Sequence, residues 1–203
     1  SMKPSFSEVI KICNGKIFNL PAHIERMNFT LQSFFGSTIP FSLNDEHIPL
    51  EFREGLVKCR IVYSLENLEI EYSHYIFREI NSLKIIHDNS IDYSFKYADR
   101  TAFEKLMAQK ENCDDILIVK NGFVTDTSFT NVVFESDKGL FTPSTYLLPG
   151  TKRQTLLKER VIKEKVIRIE DIEDYRKLYL INAMMDITDN ISIPISSLKI
   201  DRL

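Results

Sequence analysis

The sequence contains no apolar run near the ~18 residues that a membrane-spanning helix needs, and no signal peptide is expected at its start. It has no GxSxG, no Walker A and no GxGxxG, so the signatures of α/β-hydrolases, P-loop proteins and dinucleotide-binding folds are missing. Its four histidines (His23, His47, His74, His87) lack metal-ligand spacing, and no metal is expected. Only three cysteines occur (Cys13, Cys59, Cys113), far apart and never as CxxC. That argues against a disulfide framework or a structural zinc and fits a reducing cytoplasm, where the protein is expected to reside. Neither charge sign dominates: 26 basic against 29 acidic residues leave a formal net charge of -3. The electrostatic footprint of a nucleic-acid or membrane-surface binder is therefore absent. There is no internal repeat and no low-complexity segment.

What is present is a globular composition, 43% hydrophobic and 27% charged over 203 residues, enough for one or two small domains. "FSEVIKIC" (6–13) alternates apolar and polar residues and runs into Asn14-Gly15, a strong hairpin signal. Leu20, Ile24, Met27, Leu31 and Phe34 recur at helical spacing and predict an amphipathic helix over 20–35. Strands, mainly antiparallel, are expected at 56–64, 68–73, 75–80 and 83–87. The polar stretch "DNSIDYS" then reads as a linker. Beyond it come a helix at 98–110 and a second Asn-Gly hairpin at 115–126. Strands "NVVFES" and "GLFTP", a helix after Gly150, a strand "KVIRIE", a short acidic helix and "KLYLINA" complete the chain. Without a regular βαβ rhythm the fold class is α+β. The expected domains are 2–87, a linker at 88–95, and 96–203.

One stretch, "LPGTKRQTLL" (148–157), raises a question. Gly150 closes a turn and Thr151 opens a helix, yet the first helical turn carries Lys152 and Arg153. A helix N-terminus already bears about half a positive charge, so cations there are disfavoured unless an anion sits beside them. Three other segments supply partners. "HIERM" sets His23 and Arg26 one turn apart, off the apolar stripe of the first helix. "FKYADR" places Lys96 just after the linker. "VTDTSFTN" ends a hairpin strand with Asp126, followed by Thr127, Ser128, Thr130 and Asn131. An amine, a carboxylate and a phosphate cradle form the inventory that holds pyridoxal 5′-phosphate.

In order and spacing these pieces resemble the class IV aminotransferase family, the fold type IV pyridoxal-phosphate enzymes. "SEVIKICNGKIFNLPAHIERM" is similar to the family's "FET…NG…HxxRL" opening, and "FKYADR" to its lysine segment. "DDILIVKNGFVTDTSFTNVVF" resembles its "DE…L…G.VTE…N.F" block, and "LFTPSTYLLPGTKR" its "L.TP…L.G.TR" block. The resemblance runs from about Glu8 to Pro194.

It implies a two-domain fold in which Lys96 bonds the cofactor and shuttles protons. Asp126, one methylene shorter than the family's glutamate, would face the pyridine nitrogen, and Arg26 would bind the phosphate. Thr127 and Ser128 would line the cofactor, while Thr151 and Lys152 would cap the phosphate with their backbone amides. Arg153 stands at the family's closing arginine, and which of Lys152 and Arg153 touches the phosphate stays open. The Asn-Ala pair in "KLYLINAMMDITD" is similar to that of 4-amino-4-deoxychorismate lyase and makes Asn182 a candidate substrate contact. The implied reaction is elimination of pyruvate from aminodeoxychorismate to give 4-aminobenzoate for folate synthesis. A branched-chain or D-amino-acid aminotransferase remains open, as does a non-catalytic α+β domain binding a phosphate ligand. Relatives carry further residues before the "FET" segment, so a shortened N-terminus is expected here. A homodimer is implied, with Ile61, Tyr63, Tyr75 and Phe77 as candidate contacts.

Overall fold

The computed structural model describes residues 4–200, so the expected domain ends at residues 2–3 and 201–203 lie outside the described residues. The chain forms two compact units. The first takes residues up to 77 together with 95–99, and the second takes 78–94 and everything from 100 onward. The expected division at 88–95 thus differs from the observed one. The chain leaves the first unit after Phe77, returns for residues 95–99, and carries Lys96 back with it.

The first unit is one antiparallel sheet and a helix. Strand β1 (Phe6–Cys13) turns through Asn14-Gly15 into β2 (Lys16–Ile17). Both turn residues have positive φ, 49° and 79°, which Asn and Gly tolerate and which matches a two-residue hairpin. Helix α1 (Leu20–Phe35) begins with Pro21 in its first turn. It ends at Gly36, whose left-handed backbone (φ 70°) lets its N–H reach the carbonyl of Gln32. Strands β3 (Leu56–Tyr63) and β4 (Leu68–His74) complete the order β2-β1-β3-β4. Alternation does its expected work: Phe6, Ile10 and Ile12 of β1 and Val57, Cys59, Ile61 and Tyr63 of β3 face α1's Met27 and Leu31 in one core. Ile61 and Tyr63 are therefore spent inside their own unit and are not contacts for a partner.

The second unit holds two sheets. Strands β5 (Leu83–His87), β6 (Asp115–Lys120) and β7 (Phe123–Thr127) lie in one sheet, with helix α2 (Thr101–Met107) between β5 and β6 in sequence. Strands β8 (Asn131–Ser136), β9 (Gly139–Pro143), β10 (Lys163–Lys165), β11 (Lys177–Ile181) and β12 (Ser192–Pro194) form the other, in the order β10-β9-β8-β11-β12. Helix α3 (Thr151–Lys158) follows β9, and a final strand, β13 (Leu198–Lys199), pairs with β5. Leu156 of α3 packs with Val133, Ile162, Tyr179 and Ile181 in a core cluster.

Three expectations need correction. Residues 75–80 form no strand: the ladder stops at the bond from Tyr75 N–H to Leu56, and the chain then passes to the second unit with Ile76 exposed. Strand β5 belongs to that second unit and runs parallel to β6, not antiparallel. "KVIRIE" yields only the end of β10 before a 3-10 turn over Ile169–Asp174, because Val166 is exposed and Ile167 alone is buried. No helix among the described residues is long and apolar enough to cross a membrane.

Candidate active site

In the second unit the residues expected around the cofactor converge on one turn. Strand β7 pairs with β6 through a register shift between Leu117 and Val119. Strict alternation would bury every second residue of β7, yet Val124, Thr125, Asp126 and Thr127 are all buried. The chain then reverses over 127–131. Thr127 Oγ1 bonds Thr130 Oγ1 at 2.6 Å and accepts from Thr130 N–H at 3.0 Å. Ser128 donates its hydroxyl to Asp115 Oδ2 at 2.8 Å and its N–H to Asp115 Oδ1 at 3.2 Å. Both expected cofactor hydroxyls are thus engaged in building the turn. Arg100, stacked over Phe103 at 4.1 Å, donates to the Ser128 carbonyl. Asn182 donates Nδ2 to Phe129 O at 3.2 Å and accepts from Met184 N–H, so it staples the end of β11 to the same turn.

Asp126 and Asn131 then clasp the loop that leads into α3. Asp126 Oδ2 accepts N–H bonds from Leu147 and Leu148, each at 3.0 Å, and Oδ1 accepts Asn131 Nδ2 at 2.9 Å. Asn131 also donates to Leu148 O at 2.9 Å and accepts Gly150 N–H at 3.1 Å. Burial pushes the Asp126 carboxyl up to about 6, against the lowering pull of these donors and of Arg153. Gly150 is needed for room. Its backbone (φ -59°, ψ 153°) suits any residue, but a Cβ there would lie 2.5 Å from Asn131 Oδ1. Gly150→Ala is expected to prise the clasp open and to cost about 1–3 kcal/mol, the range for overpacking and a lost buried hydrogen bond. An unchanged melting curve would contradict this.

Helix α3 starts at Gly150 with no side-chain cap, so its first amides, from Thr151 to Arg153, lack an intrahelical acceptor. The two cations at that end prove to have acids of their own. Lys152 Nζ donates to Asp186 Oδ2 at 3.0 Å. Burial favours the neutral acid at Asp186, but the Lys152 ammonium and the backbone N–H groups of Ile187 and Thr188 together outweigh it and hold the carboxyl below its ordinary value. Arg153 is buried, donates to Pro143 O at 3.1 Å, pairs with Glu164 and lies over the Tyr146 ring at 4.4 Å. Their charges are balanced within the unit, and the helix start keeps its backbone amides as donors.

The first unit holds Lys96 and Arg26. The Lys96 carbonyl accepts from Ser7 N–H at 2.9 Å and Ala98 N–H bonds Ser5 O at 3.0 Å, so residues 96–98 line the open side of β1. Arg26 grips Glu8 of β1 from α1, with Nε to Oε2 at 2.7 Å and Nη2 to Oε1 at 2.8 Å. His23 Nδ1 meets Oε1 at 2.7 Å. Glu8 escaped the sequence reading. Its signal was an acid in the core row of "FSEVIKIC", between Phe6 and Ile10, with HxxR following in the next helix.

Within the second unit, the Asp126 carboxylate and the start of α3 have the chemistry to suit pyridoxal 5′-phosphate. A carboxylate offers about four acceptor sites; Asp126 Oδ2 accepts two bonds and Oδ1 one, which leaves room for a protonated ring nitrogen. The amides at the start of α3 suit a phosphate.

Comparison with known proteins agrees. The profile of the amino-transferase class IV family matches residues 5–193. A Haemophilus influenzae protein without an assigned function is 38% identical over 188 residues, spanning 90% of this chain and 98% of its own. A crystal structure from Haemophilus somnus 129PT, described as a candidate 4-amino-4-deoxychorismate lyase, superposes with a TM-score of 0.81 at 32% identity, covering 92% of this chain and 99% of that one. A hypothetical aminotransferase from Mycobacterium tuberculosis in its PLP-bound form shares the fold, with a TM-score of 0.76 at 17% identity, covering 97% of this chain and 81% of that one.

Proposed function

The chain belongs to the class IV amino-transferases, a family of pyridoxal-phosphate-dependent enzymes, and on that premise we propose that it is a lyase that releases pyruvate from 4-amino-4-deoxychorismate. The observation that carries this reading is the 32% identity, over 92% of the chain, with the Haemophilus somnus protein described in those terms. The Asn-Ala pair at Asn182 supports it. An aminotransferase acting on branched-chain or D-amino acids is the second reading; a Rickettsia felis protein described as a probable branched-chain-amino-acid aminotransferase, 23% identical over 92% of this chain, favours the branched-chain form.

Lys96 would hold the cofactor's aldehyde, Asp126 its ring nitrogen, and Arg26 with the Thr151 and Lys152 amides its phosphate. When bound, the cofactor supplies an electron sink for the carbon that bears the substrate amine. The chain does the rest. The Lys96 amine takes the proton from that carbon as general base. The C–O bond to the enolpyruvyl group then breaks, the ring becomes aromatic, and enolpyruvate takes up a proton to become pyruvate. Asp126 would keep the ring nitrogen's proton in place, and Asn182 holds the 127–131 turn. Thr127 and Ser128 act through the shape of that turn, and Arg153 through the loop before α3. The reading extends to a cytoplasmic homodimer serving folate synthesis.

One assay separates the two reactions. Purified protein given aminodeoxychorismate is expected to release pyruvate and 4-aminobenzoate in equal amounts, and to turn over branched-chain and D-amino acids at least about tenfold more slowly, a barrier difference of ~1.4 kcal/mol. Keto-acid formation without 4-aminobenzoate would replace the lyase reading with the aminotransferase one.

A further inference from the structure

Glu8 is fully buried on the row of β1 that also carries Phe6, Ile10 and Ile12. A carboxylate in such a row is costly unless its charge is matched. Here Arg26 matches it through a two-point contact at 2.7 and 2.8 Å, and His23 Nδ1 adds a hydrogen bond at 2.7 Å. Burial acts to raise the Glu8 carboxyl, but Arg26 and His23 outweigh it and keep the group below its ordinary value, hence ionised at neutral pH. His23 therefore donates to it through Nδ1.

A buried ion pair of this kind contributes little net stability beyond what well-packed apolar side chains would give. What it contributes is geometry. A bidentate contact along the Nε–Nη2 edge fixes the plane of a guanidinium, which a single bond leaves free to rotate. His23 bonds the same Oε1 that receives Nη2, so the carboxylate cannot turn without breaking contacts to both partners. Of the three groups only Arg26 keeps solvent access, at 17% of its side chain, against 1% for His23 and none for Glu8. The arrangement is a buried mount for one cation whose side chain is partly exposed while its Nη1 lies buried.

We propose that Glu8 is a positioning residue of the cofactor's phosphate site, acting through Arg26; this rests on the assignment of Arg26 to the phosphate made above. Glu8 itself never meets the phosphate, since two anions in contact repel. It sets the orientation in which the Arg26 guanidinium receives one.

The test compares the affinity of the apoprotein for pyridoxal 5′-phosphate and for pyridoxal. Both probes carry the same ring and aldehyde, so their ratio isolates the phosphate, and a loss of general packing leaves that ratio unmoved. Glu8→Gln is expected to weaken pyridoxal 5′-phosphate binding by about tenfold or more with little change for pyridoxal, and Arg26→Ala to show the same selectivity. If Glu8→Gln weakens both probes alike, or neither, while Arg26→Ala remains selective, the proposal is overturned and the phosphate assignment survives. If Arg26→Ala shows no selectivity, the assignment falls and Glu8 with it. Should Glu8→Gln fail to fold, Glu8→Asp keeps the charge and withdraws the carboxyl by one methylene; a reduced ratio supports the positioning role and an unchanged one refutes it.

Discussion

Lys96→Ala is expected to abolish turnover, by about four orders of magnitude or more, while leaving the protein folded. Removing the side chain takes away both the covalent partner of the cofactor and the general base; general acid–base help alone is worth roughly 10²–10⁴. The fold should tolerate the change because backbone bonds hold the segment. Ser7 N–H to Lys96 O and Ala98 N–H to Ser5 O survive any substitution at that side chain. Circular dichroism and thermal melting read the fold, and pyruvate release reads the activity. A folded variant with near-normal turnover would remove Lys96 from the mechanism.

Asp126→Asn carries the second large effect, and it has two readouts. The first is a fall in turnover of about two orders of magnitude, ~3 kcal/mol of barrier, with cofactor still bound, because a neutral amide no longer holds a proton on the ring nitrogen. The second concerns stability without cofactor. Burial places the folded Asp126 at about 6 against an ordinary 3.8. A carboxyl raised on folding costs stability when ionised, so the cost is present above about pH 6 and vanishes below the unfolded value. The size is on the order of 3 kcal/mol. The apoprotein should therefore gain stability from this group as pH falls from 7 towards 4, and the variant should lack that gain. Glu8 and Asp186 act with the opposite sign, since their folded values are lowered and their contribution is lost at lower pH. They are common to both proteins, so the difference between the two stability profiles isolates Asp126. Parallel profiles would mean that Asp126 does not titrate in this range.

Much of this was legible in residue patterns. Helix α1 follows from the spacing of Leu20, Ile24, Met27 and Leu31 and occupies Leu20–Phe35 as expected. Both Asn-Gly pairs form the anticipated tight turns, with φ of 53° and 82° at Asn121 and Gly122. Strands β8 and β9 span the "NVVFES" and "GLFTP" segments as expected. What failed depended on partners that local sequence does not name. "YIFREI" has strand composition but extends the ladder no further than the Tyr75–Leu56 bond, and the chain passes from the first unit to the second within it. "LKIIH" looks like any buried strand, and nothing in it distinguishes a parallel neighbour from an antiparallel one. The charges at the start of α3 gave a sound signal with an incomplete answer. Their partners, Asp186 and Glu164, lie 34 and 11 residues away in the chain. Asp126 could be placed on its strand, but its clasp joins Asn131, Leu147 and Leu148, which lie 5, 21 and 22 residues away in the chain and which no composition rule announces.

The central claim is that this chain bonds its cofactor through Lys96. Borohydride reduction of the cofactor-loaded protein, followed by proteolysis and mass mapping, tests it most directly. The account predicts a phosphopyridoxyl group on the peptide containing Lys96 and on no other lysine. Label on a different lysine, or a protein that takes up no label at all, would contradict it.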